Sequence, residues 1–206
     1  MPRRALRLGR GEHEPLSVRD YRLTDRTPFE HPGAKHMPSL KHLQVLLVDD
    51  NPHLRQITAS VLRSVGIGRI WEAADGIAAM ERLRESAIDL VFVDLEMAPL
   101  GGLEFTRRVR NDPDSANPFL PIIMMTGHTQ ASRVLEARDA GVTEFLAKPI
   151  SPKAVIDRLN AVIVKARPFI KADSFFGPDR RRTRRTDYSG APRRERDQSD
   201  EDSSAV

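Results

Sequence analysis

Apolar residues in this chain fall into short unbroken runs that alternate with stretches of helical spacing, and both patterns are confined to residues 42–166. The runs predict strands over Gln44–Asp49, Ile70–Ala73, Leu90–Asp94, Ile122–Thr126 and Glu144–Ala147. Each is followed by an amphipathic stretch: Pro52–Ser64, Gly76–Glu85, Gly102–Arg110, Ala131–Ala140 and Pro152–Lys165. In the first of these, Leu54, Ile57, Val61 and Leu62 recur at helical spacing, and Pro52 is tolerated in the first turn. In the last, Val155, Leu159, Val162 and Ile163 do the same behind Ser151, a residue suited to cap a helix N-terminus. A run such as Val45 to Val48, apolar at every position, suits a strand buried on both faces. Five strands alternating with five helices imply right-handed βαβ units, and so an α/β fold with a five-stranded parallel sheet sandwiched by five helices.

The flanks lack either period. Residues 1–41 read as a disordered N-terminal extension, in which Met37 is a candidate alternative start. Residues 167–206 read as a disordered tail, Arg-rich from Arg180 to Arg185 and then acidic, with Phe175-Phe176 ahead of the arginines as a possible docking motif. Charge follows the same division. The net +4 resolves into +4 over residues 1–41 (nine Lys/Arg, five acids), −2 over 42–165 (fourteen, sixteen) and +2 over 166–206 (ten, eight). With no cysteine, disulfides, thiolate zinc sites and cysteine nucleophiles are excluded. The longest apolar runs fall far short of the ~20 residues that cross a bilayer, and the N-terminus lacks the apolar core of a signal peptide. A cytoplasmic protein without a membrane partner is expected. His13, His31, His36 and His42 lack metal-ligand spacing, and Trp71 is expected to pack on or cap the second strand.

The chemistry sits at the strand ends. In open parallel sheets ligands gather at the carboxyl ends of the strands. That edge receives Asp49 and Asp50 from the first strand, Asp94 from the third, Thr126 from the fourth and Lys148 after the fifth. Carboxylates crowded there repel by roughly 4 kcal/mol per close pair at an effective dielectric of 20, so a hard divalent cation, most naturally Mg²⁺, is expected among them. With a cation on Asp50 and Asp94, the remaining groups suit phosphoryl transfer to a carboxylate, which relies on positioning and on neutralising the phosphoryl oxygens.

The segments "VDDN", "FVDLEM", "PIIMMTG" and "EFLAKP" occur in an order and spacing that resemble the receiver domain of two-component response regulators. Separations are 44 residues from Asp50 to Asp94, 32 to Thr126 and 22 to Lys148. The resemblance implies a flavodoxin-like (βα)5 sheet of order 2-1-3-4-5. It implies that Asp94 accepts phosphate from a sensor histidine kinase or histidine phosphotransfer protein, and that Asp49, Asp50, Asp94 and the backbone carbonyl of Glu96 hold Mg²⁺. Thr126 is then the switch hydroxyl, Phe145 the switch aromatic, Lys148 the ammonium that contacts the phosphoryl group, and the Lys148-Pro149 bond cis. Glu96 and His128 would line the entrance and tune dephosphorylation. Family members usually carry proline four residues after the acceptor; here Ala98 stands there and Pro99 follows, which leaves that loop's conformation open.

The implied function is a phosphorylation-dependent signalling switch that contacts an unknown downstream protein. It is not a turnover enzyme, and the polar residues after the core are too few for a folded output domain. Two other classes compete. A Mg²⁺-dependent hydrolase of the haloacid dehalogenase type needs a second Asp two residues after its nucleophile, where this chain has Glu96. A nucleic-acid or acidic-partner binding regulator would act through Arg180–Arg185, although the acids that follow dilute that field.

Overall fold

The structure, a computed structural model, describes residues 39–127, 131–172 and 175–179. Strands β1 (Gln44–Val48), β2 (Arg69–Ala73), β3 (Leu90–Asp94), β4 (Ile122–Thr126) and β5 (Glu144–Ala147) form one parallel sheet in the order β2-β1-β3-β4-β5. Helices α1 (Pro52–Ser64), α2 (Gly76–Glu85), α3 (Gly102–Asn111), α4 (Ala131–Asp139) and α5 (Pro152–Ile163) connect them. The expected fold class and strand order are those found.

The unbroken apolar runs have a simple cause. Leu46, Val48, Val91, Val93, Ile122 and Met124 point into one core, shared with Met80 and Phe105 of α2 and α3. Their neighbours Val45, Leu47, Leu90, Phe92, Ile123 and Met125 point into another, shared with Leu62 of α1 and Leu159 of α5. Because successive side chains face opposite sides and both sides are covered, no position in β1, β3 or β4 can be polar until the strand ends. The helix starts follow local rules. Asn51 accepts from the amides of His53 and Leu54, Asp75 from those of Ile77 and Ala78, and Ser151 from that of Ala154. Pro52 and Pro152 occupy first-turn positions, where no intrahelical donor is required. Trp71 sits on the edge strand β2 with Nε1 donating to Gln44 Oε1 at 3.3 Å and Arg82 stacked on its ring.

The structure corrects the expected disorder at the inner edge of both flanks. Leu40–His42 form a 3-10 turn, and Leu40 packs against the α1/α5 core. After α5 the chain forms an antiparallel hairpin, β6 (Phe169–Ala172) and β7 (Phe175–Pro178). Phe169 is buried, and Phe119, Phe169 and Phe176 form an aromatic cluster with ring centroids 5.2–5.7 Å apart. Phe175-Phe176 is therefore part of a docked strand rather than of a solvated motif. The arginines 180–185 and the acidic stretch lie outside the described residues, as do residues 1–38.

Candidate functional site

Three strand ends and one loop build the site. Asp49 follows β1 and is fully buried, Asp94 is the last residue of β3 and is buried, and Asp50 is exposed at the rim. One carboxylate oxygen from each of these three lies within 4.8 Å of the others. Lys148, just beyond β5, places Nζ 2.9 Å from Asp49 Oδ2 and 2.9 Å from Asp94 Oδ2. Thr126 closes β4, buried, and its carbonyl accepts from the Lys148 amide at 2.8 Å. The sheet register thus delivers the ammonium to the acids. The Lys148-Pro149 peptide is cis, as the resemblance implied.

The support around these groups is equally specific. The second oxygen of Asp49 accepts from the Asn51 amide at 2.9 Å, so the residue that caps α1 also orients the buried acid. Arg55 donates to the Asp49 backbone carbonyl at 2.7 Å and pairs with Glu72 on β2 at 3.2 Å. On the β3 side, a Cβ at residue 102 would lie 2.2 Å from the Asp94 carbonyl oxygen, so only glycine lets α3 begin directly against the acid. The loop between them carries a second cis bond, Ala98-Pro99.

Burial pushes the Asp94 carboxyl above its ordinary value, and the nearby Asp49 charge adds to this, against the pull of Lys148. Burial alone would lower the Lys148 ammonium, but the carboxylates of Asp94 and Asp49 outweigh it and leave the ammonium raised. Lys148 therefore stays charged, yet one ammonium cannot neutralise three carboxylates. The donors are all oxygen, closely spaced and rich in unused lone pairs, which fits Mg²⁺ and not a soft metal.

Of the residues singled out from sequence, Asp49, Asp50, Asp94 and Lys148 are gathered together, with Thr126 beside them through its backbone. Glu96 is exposed on the loop after β3, and its carboxylate stands outside the three-acid cluster. Phe145 is half-buried and packs against the core shared with α2 and α3. His128 lies outside the described residues. Asn51, Arg55 and Gly102 were not foreseen as parts of the site. Asn before Pro52 is a cap signal and could have been used, whereas nothing local marks Arg55.

Comparison with known proteins agrees with this geometry. The family model described as the response regulator receiver domain matches residues 45–160. The chemotaxis protein CheY-3 of Vibrio cholerae is 29% identical over 122 residues, which cover 59% of this chain and 92% of that protein. The solved structure of Vibrio cholerae chemotaxis protein CheY4 is 32% identical, with a TM-score of 0.54 over 58% of this chain and 98% of that one. The receiver domain of the sensor histidine kinase PA1611 from Pseudomonas aeruginosa, solved with magnesium coordinated in its active-site cleft, is 29% identical. Its TM-score is 0.53, over 59% of this chain and 98% of that one.

Proposed function

Because the chain belongs to the response regulator receiver domain family, we propose that it is a signalling switch which takes a phosphoryl group onto Asp94. The observation that carries this reading is the ammonium of Lys148, 2.9 Å from the buried Asp49 and 2.9 Å from Asp94, beside a third carboxylate. Asp49, Asp50 and Asp94 are the residues that would hold Mg²⁺, with the Glu96 backbone carbonyl as a further ligand. When bound, the cation supplies charge neutralisation for the phosphoryl oxygens.

The rest follows from the side chains of this protein. A carboxylate oxygen of Asp94 attacks the phosphorus of a phosphohistidine on a sensor kinase or phosphotransfer protein. The P–O bond forms as the P–N bond breaks, and the imidazole leaves. Lys148 pairs with the phosphoryl oxygens in place of the bare carboxylate, and the Thr126 hydroxyl donates to another. Raising the Asp94 pKa by burial makes its carboxylate a better nucleophile once ionised. Because the Lys148 amide is bonded to Thr126 and Phe145 lies on the strand that leads to Lys148, a shift of the ammonium is felt along β5. Signalling then proceeds through α4, β5 and α5 to a downstream protein. The protein catalyses its own phosphorylation and dephosphorylation rather than turning over a substrate, and it acts in the cytoplasm. No helix among the described residues is long and apolar enough to cross a membrane.

Phosphoramidate with Mg²⁺ should add one hydroxylamine-labile phosphoryl group to the wild type and none to Asp94→Asn, as read by intact mass. Labelling that persists in the variant, or in excess EDTA, would reject Asp94 as the acceptor.

A further inference from the structure

The β6–β7 hairpin is fastened to the sheet at its amino-terminal pole, opposite the acids, by contacts that converge on β5. Arg167, just before β6, donates to the Thr143 backbone carbonyl and lies 3.3 Å from Glu144 Oε1, while its other nitrogen donates to the Asp179 carbonyl at 2.9 Å. Glu144, the first residue of β5, is buried and takes a second arginine, Arg158 of α5, at 3.4 Å. The Asp179 amide donates to the Pro168 carbonyl at 2.8 Å, so both ends of the hairpin are tied at the same point. A single buried carboxylate thus links the hairpin, the strand that carries Phe145 and the helix behind it.

The seat is built rather than incidental. A Cβ at Gly177 would come within 2.8 Å of the Gly141 Cα, and one at Gly141 within 2.7 Å of the Phe176 carbonyl oxygen. Two glycine backbones pass each other where no side chain fits. Arg110 of α3, buried, donates to the carbonyls of Gly141 and Pro118 and lies under the Phe169 ring, 5.1 Å from its centre. Two guanidinium nitrogens of this seat, Arg110 Nη2 and Arg158 Nε, are buried with no hydrogen-bond partner among the described residues.

We propose that the β6–β7 hairpin is a regulatory strap, with Arg167 as the positioning residue that restrains β5 in the arrangement where Lys148 still holds the Asp94 carboxylate. The inference rests on the phosphorylation reading of Asp94. It follows from linkage: if the clamp belongs to the unphosphorylated arrangement, activation must loosen the hairpin, and loosening the hairpin must favour activation by the same factor.

The test uses the full chain with Mg²⁺ and beryllofluoride as the probe of the phosphorylated state. Arg167→Ala is expected to bind beryllofluoride about fivefold or more tightly than the wild type, with Mg²⁺ affinity unchanged. In the wild type, the probe is expected to speed amide hydrogen exchange in residues 169–172 and 175–178. Arg167→Lys, which keeps the charge but not the fork that reaches carboxylate and carbonyls together, is expected to behave like Arg167→Ala. A merely structural role would lower stability without moving the probe affinity. Unchanged or weaker probe affinity in a folded variant overturns the strap. If Arg167→Ala fails to fold, exchange in the wild type decides, and protection that ignores the probe overturns it. The underlying reading fails separately: a wild type that binds no more beryllofluoride than Asp94→Asn removes both.

Discussion

Truncating the chain after Ala166 removes Phe169, Phe176 and Arg167 together, and the structure gives the size of the effect. Phe169 is 6% exposed, and burying such a ring is worth about 3–5 kcal/mol as read from Phe→Ala changes in cores. Its edge-to-face contact with Phe119 at 5.2 Å and the tilted contact of Phe169 with Phe176 at 5.7 Å add about 0.5–1.5 kcal/mol each. Against this, Arg110 regains water when the ring above it is lost, which returns part of its desolvation. The net loss should be about 3–5 kcal/mol, a large share of the roughly 5–15 kcal/mol that holds a domain. Urea unfolding of residues 1–166 and 1–179, followed by circular dichroism, measures it. With an m-value of about 2 kcal/mol/M, the shorter chain should melt about 1.5–2.5 M lower in urea. Phe169→Ala in the full chain should lose about 3 kcal/mol by the same assay. Midpoints for 1–166 and 1–179 that agree within experimental error would refute the reasoning and restore a domain boundary at residue 166.

Lys148→Met strips the ammonium from two buried carboxylates. Without metal it should lower stability by about 3 kcal/mol, and Mg²⁺ should then stabilise the variant more than the wild type; equal Mg²⁺ increments in urea midpoint would contradict the shared site. Asp89, whose carboxylate accepts from the Gln44 amide at 2.8 Å, is raised by burial despite that bond. A raised acid contributes stability that is full below its unfolded value, near 4, and is lost as pH rises through the folded value. Asp89→Asn should therefore match the wild type near pH 4 and gain on it towards pH 7, a trend that urea midpoints across that range would reveal or deny. Gly102→Ala places a methyl 2.2 Å from the Asp94 carbonyl oxygen. It should lower stability by about 1–3 kcal/mol and slow phosphorylation by phosphoramidate, whereas unaltered kinetics would show that α3 can shift without moving Asp94.

The sequence was legible where local rules and the sheet's geometry coincide. β3, β4 and β5 begin and end where the apolar runs do, because in a doubly covered sheet the first tolerated polar residue is the strand end. The same logic places Asp94 and Thr126 at the ends of their strands and Lys148 beyond the last, so the gathering of Asp49, Asp50, Asp94 and Lys148 was legible, whereas the parts played by Arg55 and Gly102 were not. The hairpin could not. Phe169-Ile170-Lys171-Ala172 is a four-residue strand with no period to speak of, and it sits in a segment whose overall composition is that of disorder. What orders it is not in the segment at all: the aromatic ring of Phe119, the bare backbone of Gly141 and the carboxylate of Glu144 are contributed by loops and a strand more than twenty residues earlier.

The two poles of the sheet handle buried charge in opposite ways, and this explains why the hairpin is needed. At the carboxyl pole, three acids face one ammonium, and the imbalance is one that a small cation can correct. At the amino pole the imbalance is reversed. Arg110 is buried with no carboxylate pairing with it among the described residues, and burial pushes its guanidinium down to about 9. It remains charged at neutral pH, so its environment must supply dipoles in place of a counter-ion. The Gly141 and Pro118 carbonyls supply two, and the face of the Phe169 ring supplies the third, which only the hairpin can bring. Glu144 at this pole is already shared between Arg158 and Arg167. Remove the hairpin and Arg158 keeps that carboxylate alone, while Arg110 must draw water into the space under the missing ring. The strand that begins at Glu144 then loses a lateral tie at the end remote from Lys148.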